Sequence, residues 1–572
     1  MNKTKSNFTI ALINVVKSGD YQYEQEVPLG LASIASFIRS KCYDVILHQC
    51  FVSKGTAEID QASEVIADLY GFQLNMVNYL SVKQVIAKIK EKNSKAITVL
   101  GGPFLIYDFE TILKKEQFFD FIIYGEGEHT FLELIQTIEK NENEFNKIDG
   151  LVWRNKSGQV VHNEPRKNMD DLDKLPFPAR DFLEDARKDP LDNSIIESIR
   201  FISSRGCIGT CNFCCVNKHW KGKRWRGRSP KNVVDELEML VKDYKVKLFN
   251  FSDSSFEDPG RLGKQRAKEI CEEIIKRNIP LSIKVYMRCE TMKSHEDLEL
   301  LKLYKRAGID VIIPGAESGS DYELRYYEKL ATIEDNFRTI KILRDLDLFF
   351  ILVGFIMFGP NSTKKNLLQN LKFLNEFELD DNLMQLANVL ILIRGSKLYY
   401  RLKDEGRLIE SDKYWEPPKY KFIDPLGERM AKHWVNLYFR YQATKEINTL
   451  QMNLGNLIYR MTNPMNKEIL KTLNDDYIEL KEKYFELRKV FGNMNSNYFK
   501  ESLFMIEKGC SDRDLLESAN IFFNKEYSDY IPAYAKLYNN FLDKVKKTGF
   551  SLSGLVFQHF FSTIAIDGTE RI

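Results

Sequence analysis

The sequence predicts an α/β chain of two wound units followed by a mostly helical region. Three observations carry this reading. From Phe8 to about Lys140, short apolar runs that stop at glycines alternate with helical patterns. From Ile199 to about Leu398 the alternation resumes more regularly, and beyond Trp415 the strand signals cease.

In the first unit, Ile10–Val16 reads as a strand and Leu29–Ile38 as a helix that Pro28 can start. Tyr43–Leu47 and Ala67–Leu74 read as further strands. Ala96–Leu100 ends in Gly101-Gly102-Pro103, and Phe119–Tyr124 ends in Gly125-Glu-Gly-Glu128. This pattern indicates a doubly wound parallel sheet, which binds ligands at the carboxyl ends of its strands, where these glycines lie. A hairpin-like stretch around Asn155–Gly158 and the proline-rich Asp171–Pro178 read as a linker.

In the second unit, strand-like segments at 198–203, 247–251, 281–286, 310–314, 349–354 and 386–393 are separated by helical patterns such as Val233–Val241, capped by Ser229 and Pro230. Six strand–helix units are too few for a closed eight-fold barrel, so a partial (β/α)6 barrel is expected. In the last region Leu473, Tyr477, Leu480, Tyr484, Leu487 and Phe491 recur at helical spacing, which reads as helix packing. The expected units are 1–145, a linker 146–195, a barrel 196–410 and a helical domain 411–572.

The chain has 572 residues with 83 Lys+Arg against 81 Asp+Glu, so its formal charge of +2 sets up no global field for nucleic acid or an anionic membrane. At 29% charged and 12% aromatic residues it is a folding composition. The longest apolar run, Leu348–Phe358, falls well short of a membrane span. The polar start, Met1–Ser6, enters a strand-like segment without a signal-peptide pattern, so a cytoplasmic location is expected. There the nine cysteines would be mainly reduced.

Six of these are scattered or simply adjacent. Cys207, Cys211 and Cys214 form a C-x3-C-x2-C group directly after a predicted strand, with Gly206 and Gly209 giving the backbone freedom for a tight wrap. Such a group suits one soft metal centre. One reading is structural zinc with Cys215 as fourth ligand, but no second cysteine knuckle exists and Cys215 adjoins Cys214. The other is a 4Fe–4S cluster whose three cysteines leave one iron open for chemistry.

Cys207-Ile-Gly-Thr-Cys211-Asn-Phe-Cys214 resembles the signature of radical S-adenosylmethionine (SAM) enzymes, with Phe213 at its aromatic position. Phe249–Phe256, Arg288, Gly315-Ala-Glu-Ser-Gly319 and Gly354–Gly359 resemble, in order, that superfamily's later strand-end motifs. The resemblance implies that Asp253, with Ser252, meets the SAM amino group and that Arg288 meets its carboxylate. It places Glu317 and Ser318 near the ribose and Gly354–Gly359 beside the adenine. Upstream, Pro28-Leu-Gly30-Leu, Gly101-Gly102, Tyr124-Gly125-Glu126-Gly127-Glu128 and Leu172–Arg180 resemble the cobalamin-binding radical SAM enzymes, often called class B methyltransferases.

In that group a Rossmann-like domain holds the corrin over the barrel mouth. The resemblance implies three cofactors: a 4Fe–4S cluster, SAM and cobalamin as methylcobalamin. It also implies a 5′-deoxyadenosyl radical, methylation of an unactivated carbon, oxygen sensitivity, a small-molecule or peptide substrate, and an external one-electron reductant of flavodoxin or ferredoxin type. A non-methylating oxidation, cyclisation or rearrangement is the alternative. The D-x-H-x-x-G motif of many cobalamin proteins is missing: residues 17–27 contain no histidine. The helical region is expected to shape the substrate pocket.

The basic stretch Lys218–Lys231, with Trp220 and Trp225, has three readings: phosphate pairing to a nucleic acid, barrel or cofactor packing, or an anionic substrate group. A zinc-bearing RNA-binding protein is the remote alternative. His219 reads as a surface histidine or a polar contact to the cluster, and Tyr304–Gly308 as a solvated face.

Overall fold

The computed structural model describes residues 8–17, 28–52, 57–75, 77–102, 109–188, 198–216, 221–411, 413–527, 529–552 and 555. His219, Trp220, Pro103 and the loop 18–27 lie outside them.

The first sheet contains β1 (Thr9–Lys17), β2 (Asp44–Val52), β3 (Leu69–Gln73), β4 (Ile97–Gly101), β5 (Phe121–Ile123), β6 (Leu151–Arg154) and β7 (Val160–His162). Its order is β2-β1-β3-β4-β5-β6-β7. The first five strands run parallel and the hairpin β6–β7 adds an antiparallel edge. The stretch around Asn155–Gly158 is thus a hairpin as expected, but it completes this sheet instead of belonging to the linker. The reason is backbone pairing: β5 would otherwise present an unpaired edge. Core residues such as Ile10, Leu12, Val99 and Leu134 are at most 2% exposed. The buried residues divide into two clusters, as a sheet covered on both faces requires.

The second sheet contains β8 (Ser198–Phe201), β11 (Leu248–Phe251), β12 (Ser282–Arg288), β13 (Ile309–Glu317), β14 (Phe350–Ile351) and β15 (Gly354–Phe355). These pair in parallel in the order β14-β13-β12-β11-β8, with β15 also on β13. The helix between β8 and β11, Pro230–Tyr244, starts at Ser229, whose side chain accepts from Asn232 N. The sheet is an open partial barrel. Its expected last stave, 386–393, contributes a single parallel bridge between Phe358 and Val389, held by Leu390 N donating to Phe358 O at 2.8 Å. A short helix, Leu383–Leu386, takes up the start of that stave.

A small hairpin of β9 (Ser204–Gly206) and β10 (Trp225–Gly227) stands at the barrel mouth, flanking the cysteine loop. The helical region runs from Pro425 to Lys547. Tyr477, Leu480, Tyr484 and Phe491 are buried along its longest helix, Asn474–Glu507, as their spacing predicts. This region meets the barrel at the amino ends of the strands. Asn463 Nδ2 donates to Leu281 O, Gly308 O and Asp310 Oδ2, and Lys305 Nζ donates to Tyr459 O at 2.6 Å. Of Tyr304–Gly308, expected on a solvated face, Tyr304 is buried on the barrel side with its hydroxyl donating to Glu257 at 2.9 Å, Lys305 is buried beneath the helical region paired with Asp310 at 2.7 Å, and Arg306 is exposed.

Gly455 shows how closely the two parts fit. A Cβ there would lie 2.3 Å from the Phe350 ring. Gly455→Ala is expected to lower the unfolding midpoint, because overpacking costs about 1–3 kcal/mol against about 1 kcal/mol gained in helix propensity. Chemical denaturation of the two proteins side by side measures the difference.

Candidate functional site: a cavity between two strand mouths

The carboxyl ends of the two sheets face one another across a cavity of about 710 Å³. One wall comes from the first sheet and its loops, including Pro28, Gly30, Gly101, Gly102, Gly125, Glu126 and Gly127; the other includes Arg200, Ser204, Cys214, Ser252, Ser254 and Ile393. All seven residues assigned to the corrin side from the motifs therefore line one surface. No described residue beyond Ile393 does so. The helical region packs on the amino ends of the strands and along the β14–β15 side of the barrel, where Phe499 stacks on Phe358 at 6.1 Å and Gly427 lies against Ser362.

The glycines differ in why they are glycine. Gly102, at φ +131, would place a Cβ 2.3 Å from Leu74 O, so the backbone requires it. Gly30 and Gly101 adopt ordinary conformations, and a Cβ would find its nearest protein neighbours at 3.8 and 3.9 Å. Packing within the chain does not demand that these two be bare. Their bareness leaves a flat, close-approach surface, which a corrin ring fits.

Two carboxylates close the seam. Glu126 takes Arg226 bidentately, at 2.7 and 2.9 Å, and accepts from Met169 N at 3.3 Å. Glu128 takes Arg205 at 2.6 Å. Burial alone would push the Glu128 carboxyl up, yet the Arg205 guanidinium holds it below its ordinary value. The Glu126 side chain, assigned to cobalamin from the motif, is thus committed to a contact between the two units, although the residue still lines the cavity.

The cysteine loop is held by contacts within the chain. Gly206 takes φ +97 just ahead of Cys207, and a Cβ on Gly209 would sit 3.2 Å from Cys207 Sγ. Asn212, 1% exposed, donates from its backbone to Tyr327 O and from its amide to Tyr326 O, while its own carbonyl accepts from Leu398 N. Thr210 Oγ1 donates to Glu328 O at 2.8 Å. Burial pushes the Cys207 thiol up to about 12 and the Cys211 thiol up to about 11, so ionised sulfur needs a cationic metal centre as partner. Among the described residues no three His, Cys, Asp or Glu side chains converge on one ion.

The remaining assigned residues separate into two groups. Phe213 packs edge to face on Tyr327 at 5.6 Å, in the same apolar cluster as Ile356 of the Gly354–Gly359 segment. Glu317, at φ +64, meets Lys329 Nζ at 3.5 Å, and Arg288 lies 2.9 Å from Asp258 and 3.0 Å from Glu290 beside Cys207. These are near the cysteine loop. Asp253 and Ser318 turn elsewhere. The Asp253 carboxylate accepts from Ser203 N at 3.0 Å, Ser203 Oγ at 2.9 Å and Ser204 Oγ, a donor set that satisfies a carboxylate 2% exposed. Ser252 and Ser254, on either side of it, reach the cavity instead. Ser318, fully buried, bonds Glu323 and Asn370.

The motifs did not show Lys329 or Asn212. Lys329 lies in no readable pattern, and Asn212 occupies a variable position of the signature. The basic stretch was legible, but its role was not. Lys221, Lys223, Arg226, Arg228 and Lys231 pair with Glu164, Asp170, Glu126, Glu236 and Asp235, and Trp225 carries Arg266 over its ring. Of the seven basic residues in the stretch these five pair within the chain, Arg226 and Arg228 in buried contacts, which favours the packing reading; Lys218 lies outside the described residues.

Residues 201–374 match the family model of the radical SAM superfamily, and residues 22–135 match that of the B12 binding domain. The chain belongs to the cobalamin-binding radical SAM enzymes. Its cofactors are a 4Fe–4S cluster, SAM and cobalamin. This radical SAM protein is 28% identical over 434 residues to an uncharacterized methyltransferase of Pyrococcus horikoshii, covering 72% of this chain and 88% of that one. It is 29% identical over 398 residues to the anaerobic magnesium-protoporphyrin IX monomethyl ester cyclase of a Synechocystis strain, covering 68% and 75%. In fold it resembles the cobalamin-dependent S-adenosylmethionine radical enzyme OxsB, with TM-score 0.65 at 20% identity over 96% of this chain and 82% of that one. It also resembles the radical S-adenosylmethionine methyltransferase TsrM of Kitasatospora setae, with TM-score 0.52 at 18% identity over 73% and 82%.

Gly30→Ala separates fold from site. The substitution is expected to leave the melting temperature unchanged or raised, since Ala replaces Gly in a helix with a gain of about 0.5–1 kcal/mol. Corrin affinity, followed by absorbance titration, is expected to fall about tenfold or more.

Proposed function

We propose that this protein methylates an unactivated carbon of a small-molecule or peptide substrate. The observation that carries the proposal is the shared cavity, walled by bare glycines on one side and by Cys214, Ser252 and Ser254 on the other. When bound, SAM on the reduced cluster supplies a hydrogen-abstracting 5′-deoxyadenosyl radical, and cobalamin supplies the methyl group.

The chain's own residues do the placing. Cys207, Cys211 and Cys214 would hold the cluster, and the bonds of Thr210 and Asn212 fix their loop. Phe213, Glu317 and Arg288 lie where SAM would bind beside it. The 28–31, 101–102 and 125–127 loops would present the corrin, and the Glu126–Arg226 and Glu128–Arg205 contacts hold that wall against the barrel. The sequence places no histidine in 17–27, so the cobalt would take no protein imidazole from that loop. Residues 1–145 with the hairpin β6–β7 would form the corrin unit, 196–410 the barrel, and 411–572 the helical domain. An external flavodoxin- or ferredoxin-like donor and a cytoplasmic location complete this reading. Among the described residues no helix is long and apolar enough to cross a membrane.

The methyltransferase names of the Pyrococcus and Kitasatospora proteins support methyl transfer. The Synechocystis cyclase favours a second reading, in which both cofactors serve a cyclisation or oxidation without methyl transfer.

Anaerobic reconstitution is expected to give about four iron and four sulfide per chain with bound corrin. The reduced holoprotein is expected to release S-adenosylhomocysteine as well as 5′-deoxyadenosine from SAM. Deoxyadenosine alone would select the second reading, and failure to retain corrin would remove the methyl-transfer proposal. Cys211→Ala is expected to abolish the iron–sulfur absorbance and deoxyadenosine formation together; retained cleavage of SAM would contradict the radical assignment.

A further inference from the structure

The glycine-bearing half of the cavity continues inward past the strand ends. In the order β2-β1-β3-β4 the chain leaves β1 toward one edge of the sheet and β3 toward the other, so a crevice opens between these two strands. Register places Leu12 of β1, Gly71 of β3 and Val99 of β4 in one row, on the face covered by the helices Leu29–Arg39 and Gly127–Glu139. All three line the cavity, and so do Ile34 and Phe131 from those helices. A Cβ on Gly71 would lie 2.5 Å from Leu12 Cδ2 and 3.5 Å from the Phe131 ring, so this glycine stays bare and Phe131 bounds an apolar inlet.

Gln73, which also lines the cavity, stands at the mouth of this inlet. It lies two residues beyond Gly71 on the same strand, hence on the same face, and pairs in register with Gly101. Its Oε1 is 3.8 Å from where a Cβ on Gly30 would sit, so the amide lies between two of the bare glycines. The backbone beneath it is fixed: Asn78 Nδ2 donates to Gln73 O at 2.9 Å and to Val15 O at 3.1 Å, tying the ends of β3 and β1. The amide itself is uncommitted, with no hydrogen-bond partner among the described residues. The other polar side chains on this wall are Ser33 and the two carboxylates, Glu126 and Glu128, already held by Arg226 and Arg205.

We propose that the inlet takes the lower base of the corrin's nucleotide tail and that Gln73 makes this protein select a purine there. The tail hangs from the lower face of a corrin, so a ring resting on Gly30 and Gly101 directs it to the opening between them. Apolar walls suit a flat heteroaromatic ring, and one convergent polar group sets which ring is accepted. A glutamine amide carries an acceptor oxygen and a donor NH2 side by side. Adenine answers both with one edge, a ring nitrogen beside an amino group, as in the bidentate pairing of glutamine with adenine. Dimethylbenzimidazole offers a ring nitrogen as acceptor and no donor, so Oε1 would lose water without gaining a partner. The inference rests on the reading that the glycine wall holds the corrin.

The test titrates the full-length, cluster-bearing protein with three corrinoids, followed by corrin absorbance: one with an adenine lower base, one with dimethylbenzimidazole, and cobinamide, which lacks the nucleotide. The wild type is expected to bind the adenine form about tenfold or more tighter than the dimethylbenzimidazole form, and cobinamide weakest of the three. Gln73→Met, close in size but without the amide, is expected to bind the two nucleotide forms equally. Lys231→Met, at an exposed ion pair on the helix Pro230–Tyr244, is expected to keep the wild-type preference. If Gln73→Met does not fold, the wild-type comparison decides by itself. Equal binding of the two nucleotide forms by the wild type, a preference for dimethylbenzimidazole, cobinamide bound as tightly as the adenine form, or an adenine preference retained in Gln73→Met would each overturn the inference while leaving the corrin reading in place. A wild type that binds none of the three removes that reading and the inference with it.

Discussion

The two units are held mouth to mouth by buried guanidinium–carboxylate contacts, and the rest of the site depends on them. Arg226, with a side chain 2% exposed, meets Glu126 at 12%, while Arg205 meets Glu128 at 6%. Removing one partner from such a pair leaves a buried charge without compensation, at a cost of about 3–5 kcal/mol. The contacts therefore impose a geometry more than they add stability: the glycine-bearing loops and the cysteine hairpin can assemble only in the arrangement that satisfies all four charges. Two peripheral ties reinforce it. Arg39 takes Asp181 bidentately, and Tyr414 reaches back to Glu116 beside Tyr79.

The cavity that results has unlike walls. Leucines, isoleucines and bare glycines line the side that a flat corrin would cover, whereas serines, Arg200 and cysteine sulfur face it from the barrel. Cofactor chemistry of this kind needs placement and exclusion of water more than it needs side-chain acids or bases. The structure answers with preorganisation: a cysteine loop bonded at Thr210 and Asn212, and a glutamate, Glu317, held at positive φ against a lysine. The helical region meets the amino ends of the strands through Lys305, Asp310 and Asn463 and continues along the β14–β15 side, where Gly455 lies against Phe350 and Phe499 against Phe358.

Much of this was legible because it is local. A three-cysteine loop, glycines at strand ends and a Ser-Pro helix start are short-range patterns with fixed geometric meaning, and each appears where its pattern places it. The errors share one cause. The resemblance gave Asp253 to the SAM amino group, whereas in the fold its carboxylate takes the hydroxyls of Ser203 and Ser204, about fifty positions earlier in the chain. Tyr304–Gly308 looked solvated because it contains a lysine and an arginine, yet Tyr304 is buried against Glu257 of the barrel and Lys305 beneath Tyr459 of the helical region. The basic stretch likewise found its partners in three separate segments.

The sequence by itself determined the position of the three-cysteine loop, the glycines at the strand ends and the order of sheet, barrel and helices, and the resemblance of these motifs to a known family supplied the cofactors. These depend on residue type and spacing, which a linear chain displays in full. The tertiary structure alone decided which carboxylates are spent on holding the units together and which strands of the barrel the helical region covers. Those outcomes depend on charge compensation and strand register between distant segments, and neither has a signature until the segments meet.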